Sequence, residues 1–380
     1  MSIIGTRPEA IKMAPVIKAI AAEPRMNSVV CATGQHRQML DSVLSLFKIK
    51  PDFDLNIMKD GQDLTDITCR VLSSLKEVIM NCRPDILLLQ GDTTTTMAAA
   101  LAAYYTKTTV GHVEAGLRTG NIYSPWPEEV NRKINGVIAN IHFPPTEQAR
   151  QNLLSEGVAD DSIHVTGNTV IDALLDVLNG IKQDQDFIRQ IHEQYPFLKE
   201  KPGSSQSGGI ILVTGHRRES FGEGFENICH ALKTLAQCSD VKIVYPVHMN
   251  PSVREPVFRI LGGQSNIILL DPLNYRTFVY FMYCSKMILT DSGGVQEEAP
   301  SLGKPVLVMR DVTERREAVD IGTVKLVGTN RQKIIEETVR LLNDHNEYLR
   351  MTSKSNPYGD GKASGRIVEA LLDRFYSPGR

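Results

Sequence analysis

Three carboxylates, Asp92, Glu114 and Glu128, lie close together in the chain, and the first two stand just past apolar runs. Asp92 closes Asp85-Ile-Leu-Leu-Leu-Gln-Gly-Asp92. Glu114 follows Thr109-Val-Gly-His-Val113 and precedes Ala115-Gly116. Glu128 lies in Pro125-Trp-Pro-Glu-Glu129, a rigid turn entering a helix. In an open α/β sheet the carboxyl ends of parallel strands line the ligand crevice. Acids gathered there suit proton transfer or the stabilisation of a sugar cation. Structural roles compete with this reading. Asp92 is placed as the N-cap of the next helix, and Glu114 can pair with Arg118. His112 alternates away from Glu114 and reads as a core histidine. The four threonines 93–96 are mediocre helix formers at a helix start, which suggests hydroxyls aimed at a polar ligand.

Three further loops carry cations or glycines at strand ends. In Ile3-Ile-Gly-Thr-Arg-Pro-Glu-Ala-Ile-Lys12 a short strand stops at Gly5, Thr6 can cap a helix, and Pro8 suits its first turn. A helix start after a strand is a ready anion site, to which Arg7 and Lys12 add charge. In Val213-Thr-Gly-His-Arg-Arg-Glu-Ser-Phe-Gly222, His216 and Arg217 follow a glycine, and arginine forks match phosphate oxygens; Arg218 reads as surface charge. In Leu289-Thr-Asp-Ser-Gly-Gly-Val-Gln-Glu-Glu-Ala299, the backbone of Ser292, Gly293 and Gly294 suits a diphosphate, and Glu298, one turn on, a ribose diol. Acids in a first helical turn also follow from the helix dipole. No Walker loop, Gly-x-Gly-x-x-Gly motif or metal-ligand spacing is present, and Ser292 lacks the elbow of a serine nucleophile.

These motifs need a scaffold of strand ends. Apolar runs (Ile86–Leu89, Thr109–Val113, Ile163–Val165, Ile210–Val213, Val241–Val247, Ile267–Leu270, Met287–Thr290, Pro305–Met309) alternate with helical patterns (Leu64–Met80, Thr93–Tyr105, Phe225–Ala236, Asn330–Asn343). That alternation argues α/β architecture with parallel sheets. At 380 residues two domains are the default. The polar stretch Lys199–Gly209 reads as the linker. The expectation is two Rossmann-like domains facing a cleft: 1–200 with the carboxylates and crossover helices, 201–360 binding a nucleotide, and a terminal helix in 361–380 packing back on the first. A formal net charge of −2 gives no basic field for nucleic acid. Six cysteines without Cys-x-x-Cys pairing read as reduced packing residues and make a structural metal unlikely on sequence grounds. No run is long enough to span a bilayer, and no signal peptide is evident, so a cytoplasmic location is expected.

Taken together, Gly5–Ala10, Gly91–Thr96, His112–Gly116, Pro127–Glu129, Thr214–Arg217, Asp291–Gly294 with Gln296–Glu298, and Asn356-Pro-Tyr-Gly-Asp360 resemble the non-hydrolysing UDP-N-acetylglucosamine 2-epimerases, from the first residues to the last twenty. The resemblance implies a glycosyltransferase-B type fold, a homodimer, and no metal or nicotinamide cofactor. It makes Asp92, Glu114 and Glu128 the catalytic carboxylates, His216 an active-site histidine, Arg7 and Lys12 bases near the diphosphate, Ser292 and Gly293 phosphate contacts and Glu298 the ribose contact. Phe278 falls where the uracil pocket is expected. Some bacterial members bind a second UDP-N-acetylglucosamine as an activator, and Gln35, His36, Gln38, Arg70, Arg217 and His248 fit that pocket; residues 35–38 also read as a plain polar turn. Family members start with several more residues, so a first strand clipped to Met1–Ile4 is expected to hold Gly5–Arg7 less firmly.

The implied reaction inverts C2 of the sugar. Direct abstraction there is difficult, because no adjacent carbonyl holds a carbanion. Expelling the diphosphate from C1 makes the C2 proton acidic, so anti elimination to UDP and 2-acetamidoglucal, then re-addition with the proton on the other face, gives UDP-N-acetylmannosamine. The competing readings are a hydrolysing epimerase, a glycosyltransferase of the same architecture, and a nucleotide-sugar sensor in which the three acids are only caps and ion pairs.

Overall fold

The structure is a computed structural model describing residues 1–34, 37–59, 61–199, 209–238 and 240–376. Among these residues the chain forms two six-stranded parallel sheets. The first is built from β1 (Ser2–Ile4), β2 (Val30–Ala32), β3 (Phe53–Asp54), β4 (Ile86–Gln90), β5 (Thr109–Val113) and β6 (Ile141–Phe143) in the order β3-β2-β1-β4-β5-β6. The second is built from β7 (Ile210–Thr214), β8 (Lys242–Pro246), β9 (Ile267–Leu270), β10 (Met287–Thr290), β11 (Val306–Val308) and β12 (Val324–Leu326) in the order β12-β11-β10-β7-β8-β9. Counted from its own first strand, each sheet has the doubly wound order 3-2-1-4-5-6. The order reverses between β1 and β4 in one sheet and between β7 and β10 in the other. The loops leaving those four strands are Gly5–Arg7, Gly91–Thr93, Gly215–Arg217 and Asp291–Gly294, the segments singled out for chemistry.

The strands are apolar because both their faces are covered. Leu87 and Leu89 join one core cluster with helices Leu64–Cys82 and Thr94–Tyr105, and Leu88, pointing the other way, is buried too. The second unit has its own core around Ile211, Val213, Ile243 and Leu289. Short β1 lies inside its sheet, pairing all three of its residues with β2.

Contacts divide the chain into Met1–Asp176 with Tyr358–Arg380, and Val177–Pro357. The boundary thus falls inside helix Thr169–Gln183, not at 200/201, and the return at 357/358, not at 360/361. The helix begins bound to the first unit, where the Asp172 carboxylate accepts the Ala363 N–H (3.2 Å), the Ser364 N–H (2.8 Å) and the Ser364 hydroxyl (2.6 Å) at the start of the terminal helix Ala363–Tyr376. The chain beyond Asp176 is held in the second unit: Arg276 donates to Asp184 at 2.7 Å, His192 Nε2 lies 2.8 Å from the Tyr280 hydroxyl, and the Tyr195 and Phe281 rings meet edge-on at 5.1 Å. The Gly- and Ser-rich stretch therefore joins two elements of one unit; its residues 200–208 lie outside the described residues. The run Ile163–Val165 is not a strand either. Ile163 makes one isolated bridge to His142 before the chain turns away at Gly167, φ +93°.

Candidate active site

In the first unit the switch point is knitted by Glu9. Thr6 and Glu9 form a capping box at the start of helix Arg7–Ala22. The buried Glu9 carboxylate accepts the Gly5 N–H (2.5 Å), the Thr6 N–H (3.0 Å) and the hydroxyls of Thr93 (2.5 Å) and Thr96 (3.4 Å). Burial pushes its carboxyl above the usual carboxylate range, against those donors. Two expectations change here. The threonines serve the scaffold: Thr93 and Thr96 bind Glu9, and Thr95 packs so close that a Cβ on Gly5 would lie 2.8 Å from its Cγ2. Thr93, not Asp92, is the N-cap, accepting the Thr96 N–H at 3.1 Å.

The three nominated acids have unlike surroundings. Asp92 is forked by Arg132, at 2.9 Å from Nε and 2.8 Å from Nη2, and the same guanidinium reaches the fully buried Glu129 at 3.0 Å. Glu129 in turn accepts the N–H groups of Thr119 and Gly120 at 3.1 and 3.0 Å, fixing the loop before helix Glu128–Ile138. Glu114 follows β5 with φ 62°, in the left-handed region that a residue with a side chain enters at a cost of about 1 kcal/mol or more. Its Oε2 accepts from Lys12 and, at 3.0 Å, from the Asn168 amide; its Oε1 accepts from the Gln90 amide at 3.1 Å. Arg118 binds Glu156 through two bonds of 2.9 and 2.7 Å, so it is not the partner of Glu114. Glu128 opens its helix with a buried Oε2 that has no hydrogen-bond partner among the described residues. Arg7 is exposed and Lys12 is bound to Glu114. His112 is a core histidine with Nε2 2.7 Å from the Gly91 carbonyl, and it steadies the turn before Asp92.

In the second unit Asp291 plays the organising part. It is buried at the end of β10, and its Oδ2 accepts the N–H groups of His216 (2.6 Å) and Arg217 (2.8 Å), while its Oδ1 lies 3.2 Å from His216 Nδ1. Burial alone would raise the Asp291 carboxyl; the His216 ring and the two N–H donors outweigh it and hold it below the ordinary value. The His216 ring stacks on His248 at 5.5 Å, and Arg217 Nε is buried without a partner among the described residues. Burial, then the neighbouring His216, lowers the His248 imidazole. Ser292 caps helix Gly293–Glu298 without a side-chain hydrogen bond. A Cβ on Gly293 would lie 2.9 Å from Arg315 Cζ, so the Arg315 guanidinium would have to shift, and Gly294 borders Glu298. Glu298 is buried and accepts the Tyr275 hydroxyl at 2.5 Å. Phe278 sits half-buried on helix Tyr275–Cys284. Asn356 donates to the Glu297 carbonyl and the Ser301 hydroxyl at 2.7 Å each.

Of the second-pocket residues, Gln35 and His36 lie outside the described residues, and Gln38 lies on helix Arg37–Phe47. Arg70 donates to the Ile57 carbonyl at 3.2 Å and to Gln62 at 3.3 Å. Among the described residues no group of His, Cys, Asp and Glu could hold a metal ion, and no helix is long and apolar enough to cross a membrane. Sequence reasoning missed Glu9, Gln90, Arg132, Asn168 and Asp291 as organising residues. Arg132 had a signal, three and four residues after two acids on one helix; Asn168 and Gln90 had none.

Comparison with known proteins places the whole chain. The family model for UDP-N-acetylglucosamine 2-epimerase matches residues 18–372. The chain is 59% identical to the UDP-N-acetylglucosamine 2-epimerase of Escherichia coli K12 over 99% of both chains, and 53% identical to that of Campylobacter jejuni over 97% of this chain and 96% of the relative. Among solved structures it resembles the UDP-GlcNAc 2-epimerase of Neisseria meningitidis bound to UDP-GlcNAc, with a TM-score of 0.89, 51% identity and coverage of 98% and 99%. The Methanocaldococcus jannaschii enzyme in complex with UDP-GlcNAc and UDP gives a TM-score of 0.79 at 33% identity, covering 98% of each chain. Identity of this extent, sustained along nearly the whole length, shows that the chain belongs to the UDP-N-acetylglucosamine 2-epimerase family.

Proposed function

We propose that this enzyme interconverts UDP-N-acetylglucosamine and UDP-N-acetylmannosamine without net hydrolysis, by anti elimination of UDP to 2-acetamidoglucal and re-addition. The observation that carries the mechanism is the inequality of the three acids. Asp92 has its Oδ2 committed to Arg132, and Glu114 has both its oxygens committed to Lys12 and two amides, whereas Glu128 keeps a buried oxygen without a partner among the described residues. Glu128 is accordingly one of the two groups that move the C2 proton. Asp92 and Glu114 share its delivery to the other face and the electrostatic support of the positive charge at C1. Arg7, His216, Arg217 and the Ser292–Gly294 backbone take the departing diphosphate, with Asp291 aiming the His216 loop. Glu298 holds the ribose beside Tyr275, and Phe278 lies against the uracil.

Three further readings belong to this proposal: a homodimer, a cytoplasmic location, and activation by a second UDP-N-acetylglucosamine on Gln35, His36, Gln38, Arg70, Arg217 and His248. The buried Arg217 Nε, without a partner among the described residues, and the contact of His248 with His216 support the last.

The test is a single incubation with UDP-N-acetylglucosamine in D2O followed by proton NMR. A UDP-linked manno product carrying deuterium at C2 is expected. Free N-acetylmannosamine with UDP would indicate hydrolysis, and a manno product that retains its C2 proton would refute proton exchange through the carboxylates.

A further inference from the structure

Glu114 owes its place to residues distant in the chain. A side-chain-bearing residue at φ 62° persists only where its surroundings over-determine it. One of those surroundings is Asn168, whose amide donates to Glu114 Oε2 at 3.0 Å. Asn168 is buried and held at three other points. Its Oδ1 accepts the Val170 N–H at 3.0 Å and its carbonyl the Ile171 N–H at 3.1 Å, opening helix Thr169–Gln183. Its own N–H donates to the Tyr358 carbonyl at 2.6 Å. This last bond lies between two glycines whose positive φ would strain a side chain, although a Cβ on either would make only ordinary contacts. A Cβ on Gly167 (φ +93°) would lie 3.4 Å from Gly359 Cα and 3.5 Å from the Tyr358 oxygen, and a Cβ on Gly359 (φ +145°) would lie 3.5 Å from Asn168 N. Tyr358 is buried and is the residue at which the chain re-enters the first unit.

We propose that Asn168 is a positioning residue for Glu114, and that it takes its own position from the returning segment Tyr358–Gly359. The inference rests on the reading of Glu114 as a reaction carboxylate. Lys12 supplies charge on a flexible stem; Asn168 supplies a donor fixed at its backbone on both sides, and so a direction. A segment that touches none of the acids thereby sets the aim of one of them.

Asn168→Asp tests this. It keeps the acceptor for Val170 and the side-chain volume, removes the donor, and sets a carboxyl against Glu114. At neutral pH kcat is expected to fall on the order of 10- to 100-fold, with KM within about three-fold of the parent. The protonated form of the introduced carboxyl can donate as the amide does, so kcat relative to the parent should recover below about pH 5. A merely structural role gives a loss parallel to the parent at every pH. Gly359→Ala should reproduce the kcat loss with substrate binding retained; if that variant does not fold, the Asn168→Asp profile decides. Parent-like kcat in Asn168→Asp, or a loss that does not recover on acidification, overturns the proposal. Glu114→Gln is the control: if inactive while Asn168→Asp is parent-like, only the positioning role fails; if fully active, the reading of Glu114 fails with it.

Discussion

Acid should weaken the first unit through two histidines, and His112→Asn isolates the effect of one. His112 and His142 stand opposite each other in the register of β5 and β6, both buried and each with an Nδ1 that has no partner among the described residues. Burial, aided by nearby positive charge, pushes both imidazoles down to about 4 from an ordinary value of 6.5. The folded value lies below the unfolded one. Between about pH 4 and 6.5 the unfolded chain therefore binds more protons, and stability present above that window is lost as pH falls through it. One proton per histidine gives a slope of about 1.4 kcal/mol per pH unit, or roughly 3 kcal/mol over the window for His112 alone. The two do not simply add, because protonating one ring opposes protonating the other. In His112→Asn the amide retains a donor for the Gly91 carbonyl but loses volume, costing about 1–2 kcal/mol at pH 7.5. Its stability curve should be shallower than the parent's by about 1.4 kcal/mol per pH unit, so the two converge and cross between about pH 5 and 6. Urea unfolding followed by circular dichroism from about pH 4.5 to 7.5 measures both curves, and titrating carboxylates common to the two proteins cancel in the difference. Parallel curves would refute the reasoning.

Two other perturbations have sharp expectations. Gly116→Ala meets the Ala149 carbonyl at a backbone φ of +85°, so a loss of about 3 kcal/mol or more is expected in the same urea assay. Arg132→Met strips the fork from Asp92 and leaves buried Glu129 with only its two backbone donors, which should cost about 3–5 kcal/mol of stability and at least about 100-fold in kcat. Arg132→Lys should restore part of the stability and little of the rate, since an ammonium cannot fork two carboxylates.

The sheets were legible because buried parallel strands are apolar runs, and the longer ones, such as Ile86–Gln90 and Met287–Thr290, stand out at any window. The short strands Val30–Ala32, Phe53–Asp54, Ile141–Phe143 and Val324–Leu326 carry no pattern of their own, being two or three residues that become strands only beside an existing ladder. The unit boundary was hidden for a related reason. A Gly/Ser-rich stretch marks where a chain can be loose, whereas the boundary between units lies in a continuous helix, with Asp172 bound to Ala363 of the first unit and Lys182 over the Tyr283 ring of the second. In the site, acids, glycines and cations at strand ends were readable from the sequence. What each acid touches was not, because Arg132, Asn168 and Lys12 reach their partners across loops whose paths only packing decides.

The two switch points share a topology and differ in what their loops do with it. In the first unit Gly5 and Thr6 give their N–H groups to Glu9, so the donors that a phosphate would use are already engaged by the protein's own carboxylate. An additional anion there would meet Asp92 and Glu114 as well, which accords with the proposed role of the site in proton transfer and in supporting positive charge on a sugar. In the second unit the corresponding acid, Asp291, lies beneath the loop, where it takes the His216 and Arg217 N–H groups and leaves the arginine and the serine cap turned to other uses. One fold repeated twice thus yields an acid-lined strand end and a cation-lined one, according to whether the buried carboxylate has companions. On this argument Glu9→Gln, whose amide oxygen can keep the Gly5 and Thr6 N–H groups while its NH2 replaces the acceptor of the Thr93 hydroxyl, should disturb Asp92 through Thr93 and lower kcat while leaving UDP affinity within about three-fold of the parent, measured by calorimetry. A loss of UDP affinity as large as the loss of kcat would show that the Gly5–Thr6 turn, and not Arg7 alone in that loop, helps to carry the diphosphate.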